Sequence, residues 1–427
     1  MGQNICTHII VGSRNLHGGN KWKLLLSMKH NLLDSIFLLM SDYGGKVFKL
    51  IKGGVCYAPE KIGKRDIFIA GSKIAAISEN SADMSIPGLE VIDCADRIIC
   101  PGFIDQHVHI TGGGGEEGPS SRIPELMMGD ILCSGVTTLV GVLGVDCYTR
   151  NIAGLLAKAR SLEIEGVSTY IYTGSYGVPT ATLTGKVITD IAYIDKIIGV
   201  GEIALSDYRS SHPSTQMLKD LAYEARVGGM IGSKAGVVHI HIGDGKGGLS
   251  MLLQLLDETD FPIGMFVPTH VNRNRKLFEQ AVELLKKGGN IDLTAGEISG
   301  NGYAVEDALD ILIKSGINTS NVTVSSDGNG SMPAVNGSDG ICKIKTLFDD
   351  IRSSIQEKEL DMAAVLGCVT VNPAKILKLF PRKGTLSIGS DADMVVMDQQ
   401  MNIEKVFAMG EMLLDNGKPI KKGKYEG

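Results

Sequence analysis

The sequence predicts an α/β fold: a (β/α)8 TIM barrel joined to a small β-sandwich domain built from both chain ends. Three observations carry that prediction. Short β-type runs broken by Gly and Pro occur over 47–77 and again over 392–414, strand-like and helix-like runs alternate between them in eight units, and 427 residues of 43% apolar content supply a large core. The expected domains are an extension over 1-39, a β domain from 40-100 together with 380-427, and a barrel over 101-379.

Residues 1–39 contain two apolar patches, Leu24-Leu25-Leu26 and Ile36 to Leu39, too short and too interrupted by charge to span a bilayer, and no small-residue cleavage site. A globular start falls at Met40-Ser41-Asp42, so the preceding stretch reads as a fusion remnant or an upstream start. Val47 to Ile51, Asp66 to Ala70 and Lys73 to Ile77, separated by Gly53-Gly54 and Gly71-Ser72, read as strands joined by hairpin turns. Ala392 to Met397, Ile403 to Ala408 and Glu411 to Leu414 repeat that texture, so the two ends are expected to fold together.

The first barrel strand runs into Pro101-Gly102-Phe103-Ile104-Asp105-Gln106-His107-Val108-His109. A helix is expected over Ile123 to Ser134, then a strand over Gly135 to Val142. Helices over Asn151 to Gly166, Ile188 to Ile198, Ser214 to Met230, Leu252 to Asp257, Lys276 to Lys287 and Val305 to Ser315 alternate with strands ending near Tyr172, Ile203, His241, His270, Leu293 and Asp327. Such alternation specifies parallel strands with right-handed crossovers, and eight units close into a barrel.

A net charge of -6 offers no basic patch, which sets nucleic acid aside as a partner, and no stretch asks for a membrane. The eight cysteines are scattered without a C-x-x-C, which favours a reduced, cytoplasmic protein over a disulfide-stapled one.

Side chains at i and i+2 of a strand share a face, so His107 and His109 point the same way. Two imidazoles side by side suit adjacent positions around a zinc-like ion, although a lone His-x-His is equally a pair of satisfied core histidines. What strengthens the metal reading is position. Glu202, His241, His270 and Asp327 also fall at the C-terminal ends of predicted strands, the end of a barrel where chemistry is built. His239, two residues before His241, is a rival ligand placed deeper in its strand; His212 is left over.

These strings resemble the amidohydrolase superfamily: PGFIDQHVH, the strand-end histidines, Ser325-Ser326-Asp327, and Gly384-x-Leu386-x-x-Gly389-x-Asp391-Ala392-Asp393. Within it they are similar to the dipeptidases that act on β-aspartyl (isoaspartyl) dipeptides, through Gly112 to Glu116, Thr173-Gly174-Ser175-Tyr176, Ser206-Asp207-Tyr208-Arg209-Ser210, His270-Val271-Asn272-Arg273 and Asp327-Gly328-Asn329-Gly330-Ser331. The resemblance implies two Zn2+ ions. His107, His109 and Asp327 would bind one, His241 and His270 the other, with a bridging hydroxide as nucleophile. It implies Asp327 as general acid/base and Tyr176 as donor to the oxyanion. It further implies that Glu116, on the loop with Gly114 and Gly115, pairs with the substrate ammonium, and that Arg209, Arg273 and Ser331 hold carboxylates. The expected partner is a small dipeptide, and the expected assembly a homo-oligomer.

Two positions depart from the family pattern. Glu202 stands where a carboxylated lysine usually bridges the ions, with Gly201 inserted before it; a glutamate is shorter, so the strand is expected to bulge inward there. Val145 replaces a substrate-contacting threonine, removing one hydroxyl. A related amidohydrolase acting on cyclic amides or N-acyl amino acids is the competing enzyme reading, and a barrel scaffold without catalysis the non-enzyme one.

Overall fold

A computed structural model describes residues 47–81, 86–297, 301–332 and 340–426. The expected extension over 1-39 and the start at Met40 lie outside the described residues. Five strands lead: β1 (Phe48–Tyr57), β2 (Lys61–Ala70), β3 (Lys73–Ser78), β4 (Leu89–Asp93) and β5 (Ile98–Pro101). Eight follow: β6 (Phe103–Val108), β7 (Val136–Gly141), β8 (Ser168–Thr173), β9 (Ile197–Leu205), β10 (Val237–Ile242), β11 (Phe266–Thr269), β12 (Ile291–Thr294) and β13 (Val322–Ser325). The last four are β14 (Met394–Met397), β15 (Ile403–Ala408), β16 (Glu411–Asp415) and β17 (Lys418–Pro419).

Both ends do meet in one mixed sheet, ordered β17-β16-β15-β14-β5-β1-β2-β3, with β4 also on β1. The seam is antiparallel, Ile98 opposite Met397 and Pro101 opposite Met394. The sheet forks at β1, whose first half pairs with β4 and whose Val55-Cys56 pairs with β5. Its apolar face buries Ile51, Ile67, Ile69, Ile99, Val396 and Phe407, side chains whose alternation along the strands was already visible in the chain.

The eight middle strands form the barrel. β6 to β11 make a six-stranded parallel run, β12 pairs parallel with β13, and the ring closes where His109 N donates to Gly328 O at 2.9 Å and Val108 bridges Gly328. Three barrel helices start at a polar cap: Asn151, Ser214 and Asn274 each accept from a backbone N–H of the first turn. Among the described residues, no helix is long and apolar enough to cross a membrane.

Two helix expectations are corrected. Only Met128–Cys133 of the stretch Ile123 to Ser134 is helical, because the residues before it are held extended: Ile123 N donates to Gly113 O, Leu126 N to Ile110 O, and Ile123 O accepts from Arg150. The helix expected to reach Ile198 ends at Tyr193, and Ile197-Ile198 begin β9. A short apolar run reads as either element until its neighbours choose. Three further helices, Thr346–Gln356, Met362–Gly367 and Val371–Ile376, follow the barrel without having been expected.

Sheet and barrel are pinned by a buried cation. Lys383 Nζ lies 2.6 Å from Asp393, 2.9 Å from Asp391 and 2.7 Å from Ser168 Oγ on β8, all of them buried. Lys383→Ala strands two carboxylates away from water and is expected to cost about 3–5 kcal/mol. A urea midpoint unchanged from the parent chain contradicts this role for Lys383.

Candidate metal centre and substrate site

All six expected ligands converge at one barrel rim, and each is buried, none more than 9% exposed. His107 is the penultimate residue of β6 and His109 lies just beyond it; His241 lies near the end of β10, His270 directly after β11 and Asp327 two residues after β13. His270 and Asp327 adopt left-handed backbone, φ 60 and φ 53, a conformation costing a non-glycine residue about 1 kcal/mol or more and tolerated mainly where function requires the side chain's aim.

Glu202 sits at the centre. Its Oε2 is 3.3 Å from His107 Nε2, 3.2 Å from His241 Nδ1 and 3.8 Å from His270 Nε2, while Oε1 is 3.5 Å from His109 Nε2. The reach comes from a bulge: between Val200 opposite Val238 and Ile203 opposite Ile240, Gly201 and Glu202 face the single residue His239. Only glycine fits first, since a Cβ at Gly201 would lie 2.7 Å from His239 Cβ. The inserted residue suspected from the sequence is thus the one that carries the carboxylate inward.

The spacing suits a metal better than hydrogen bonds. Ligands about 2.0–2.1 Å from a tetrahedral ion stand roughly 3.3–3.4 Å apart, whereas good N–H···O bonds are about 2.9–3.0 Å. His107 Nε2 to Glu202 is 3.3 Å and to Asp327 Oδ1 3.4 Å, and of these three separations only His109 Nε2 to Asp327 Oδ1, at 3.0 Å, is as short as a hydrogen bond. Buried His107 Nε2 and Asp327 Oδ1 make no hydrogen bond, which is the mark of atoms waiting for another partner. Two groups, His107-His109-Asp327 and His107-Glu202-His270, each bring three ligand atoms within 4.8 Å of one another. The residues therefore fit metal binding: His107 is common to the two groups, and Glu202, in the second, also comes within 3.5 Å of His109 in the first.

Protonation sharpens the picture. Burial, helped by Arg273 and His241, pushes His270 down to about 3, so it stays neutral. Burial opposes charge on His107 too, but Glu202 and then Asp327 raise it to about 9. His107 must lose that proton to bind an ion, so metal uptake should release a proton and tighten as pH rises from about 7 to 9. The metal-free fold gains stability from this shift below about pH 6.5 and loses it as pH rises through about 9. Calorimetric metal titration in buffers of different ionisation enthalpy reads the released proton; an affinity flat across that range contradicts the expectation.

Around the cage, His239 is no ligand candidate by position: its Nε2 lies one layer deeper, 2.8 Å from His107 Nδ1. Thr294 Oγ1 is 2.7 Å from His270 Nδ1, and Cys342 Sγ donates to Asp327 Oδ2 at 3.6 Å. Tyr176 Oη stands 3.0 Å from His241 Nδ1, and the Arg209 guanidinium lies over its ring at 5.2 Å. Glu116 Oε1 accepts from Ser331 Oγ at 3.0 Å and pairs with Arg209 Nη1 at 3.5 Å. The glycine loop permits this approach: Gly114 has φ 72, and a Cβ there would meet Ser121 O at 2.4 Å. Gly115 beside it donates its N–H to the same Ser121 O.

Arg273 donates to Ile242 O and faces Glu297 at 3.5 Å. Sequence reasoning gave no role to Glu297, Thr294 or Cys342. Asp207 lay unassigned inside the Ser206 to Ser210 string, two residues from an arginine, the one signal that could have flagged it.

An eight-stranded barrel with this rim and a sheet built from both chain ends defines the class as amidohydrolase, and the Amidohydrolase family pattern matches residues 305–413. The β-aspartyl dipeptidase of the thermophilic keratin degrader Fervidobacterium islandicum AW-1 is 43% identical, covers 87% of this chain and 98% of its own, and superposes with TM-score 0.82. Its complex with β-Asp-Leu superposes with TM-score 0.81. The chain belongs to the β-aspartyl dipeptidase family of the amidohydrolases. A dihydropyrimidinase from Brevibacillus agri NCHU1002, 16% identical with TM-score 0.64, shares the fold. Among curated relatives, an adenine deaminase from Geobacillus kaustophilus is 24% identical over 78% of this chain, which spans only about half (52%) of that protein's length.

Proposed function

We propose that this chain is a metallo-dipeptidase that hydrolyses the isopeptide bond of β-aspartyl dipeptides. The observation that carries this reading is the charge pattern beside the cage. Glu116 contacts both Ser331 and Arg209 there, and β-Asp-Leu brings one ammonium and two carboxylates to meet that set. A neutral ring gives neither clamp a partner.

Divalent ions held by His107, His109, Glu202, His241, His270 and Asp327 would supply Lewis-acid charge that polarises a carbonyl and acidifies water. Asp327 is the general acid/base. Burial raises its pKa, but His109 and His107 outweigh that and hold it low, so it begins as a base able to take a proton and return it to the leaving amine. Tyr176, whose phenol burial keeps protonated, donates to the oxyanion that develops on the scissile carbonyl. Glu116 receives the α-ammonium; Arg209, Arg273 and Ser331 take the carboxylates. Substrate entry exchanges the internal Glu116–Arg209 pair for one contact at each end of the dipeptide.

Two zinc ions per chain are supported by two ligand groups that share His107, by a Glu202 carboxylate whose oxygens lie within 3.8 Å of all four imidazoles, and by a mixed nitrogen and oxygen donor set. Free thiols at Cys56, Cys94, Cys100, Cys133, Cys147, Cys342 and Cys368 favour a cytoplasmic location, and a homo-oligomer rests on the family resemblance alone. The test is a substrate panel on metal-loaded protein. β-Asp-Leu should turn over at least about 100-fold faster than hydantoin or N-acetyl-leucine, a gap of about 2.7 kcal/mol in transition-state binding. Preference for either competitor overturns the reading.

A further inference from the structure

Asp207 lies just past β9, is 5% exposed, and spends its carboxylate on two functional side chains. Oδ1 accepts from Arg209 N at 2.8 Å and Arg209 Nε at 3.0 Å. Oδ2 accepts from Arg209 Nη2 at 2.9 Å and sits 2.9 Å from His241 Nε2. A carboxylate can only accept, so His241 Nε2 donates to Asp207, and with an ion bound this leaves Nδ1, 3.2 Å from Glu202 Oε2, as the nitrogen able to ligate. On the other side, the two-point grip occupies Nε and Nη2 of the guanidinium and leaves Nη1 aimed at Glu116, 3.5 Å away.

We propose that Asp207 is a positioning residue that couples the metal centre to the substrate clamp: one buried carboxylate fixes which nitrogen of His241 faces the ion and which edge of Arg209 faces the dipeptide. This rests on the roles given to His241 and Arg209 above. Oδ2 is shared, so anything that shifts the arginine's grip shifts the hydrogen-bond acceptor of a metal ligand. Arg209 therefore influences metal affinity although it is not a ligand.

An asparagine at 207 cannot reproduce the arrangement, because its amide places donors against the N–H groups of Arg209 or His241. Asp207→Asn should weaken zinc binding, read by chelator competition, by about 10–100-fold, the usual effect of losing an acceptor behind a ligating histidine. At saturating zinc it should raise KM for β-Asp-Leu at least about tenfold with a smaller change in kcat. Arg209→Lys, at a side chain only partly buried, keeps the charge but loses the fork; it should weaken zinc binding about threefold or more.

Zinc affinity within twofold of the parent in Arg209→Lys overturns the coupling. So does a folded Asp207→Asn in which either zinc affinity or KM stays within twofold. Should Asp207→Asn not fold, Arg209→Lys decides alone. Zinc affinity is measured without substrate, so a parent chain that binds zinc yet leaves β-Asp-Leu intact refutes the dipeptidase reading, while the zinc affinity of Arg209→Lys still decides the link between that arginine and the metal.

Discussion

Asp327→Asn is expected to lower kcat for β-Asp-Leu by about 10³–10⁴-fold, the upper part of the range for a lost general acid/base, because the same change weakens a ligand atom. The substitution is nearly isosteric, so Cys342 and the backbone around Gly328 can keep their places. An amide oxygen at Oδ1 can still face His107 and His109, but the neutral group has no basic oxygen to accept a proton and none to return. KM should change far less than kcat, since Glu116, Arg209 and Ser331 are untouched and hold substrate and transition state alike. The measurement is steady-state kinetics at saturating metal, with metal content checked in the same sample. A kcat within tenfold of the parent at full metal occupancy would falsify the assignment of Asp327.

Glu202→Ala is expected to bring the metal content below two ions per chain and to abolish detectable turnover. Glu202 is the carboxylate that reaches all four imidazoles, His107, His109, His241 and His270. Its removal leaves two sets of buried nitrogens without the anion that offsets ionic charge between them. Glu202 itself is poised for that work: burial disfavours its charge, but His107 first, then His241 and His270, hold it well below the ordinary glutamate range. Glu202→Gln keeps the volume of the bulge and separates shape from charge. Elemental analysis after gel filtration reads the stoichiometry. Two ions still retained by Glu202→Ala sink the bridging role, and two retained by Glu202→Gln but not by Glu202→Ala would show that reach matters more than charge.

Much of the site was legible before any fold was known, and the reason is periodicity. Alternation along β6 turns His107 and His109 to one face, and a parallel barrel brings all strand ends to one rim. Naming the strand ends therefore named Glu202, His241, His270 and Asp327 as neighbours. The Gly201 insertion announced a bulge because one extra residue in a paired strand has nowhere else to go. The misplaced helix over Ile123 to Ser134 failed for the opposite reason. Its residues have helical composition, but Gly113, Ile110 and Arg150 claim their backbone groups, and no local rule anticipates a distant partner.

By itself, then, the amino-acid order determined the eight strands, the joining of the two chain ends and the set of metal-competent side chains, all of which follow from short-range period and turn chemistry. Only the tertiary structure decided that Glu202 reaches four imidazoles, that His239 backs His107 instead of joining the cage, and that Asp207 grips Arg209 and His241 with one carboxylate. Those facts turn on separations of a few tenths of an ångström between atoms of residues as far as 132 positions apart in the chain. Packing of whole elements sets such distances, and no pattern within a single strand or helix encodes them.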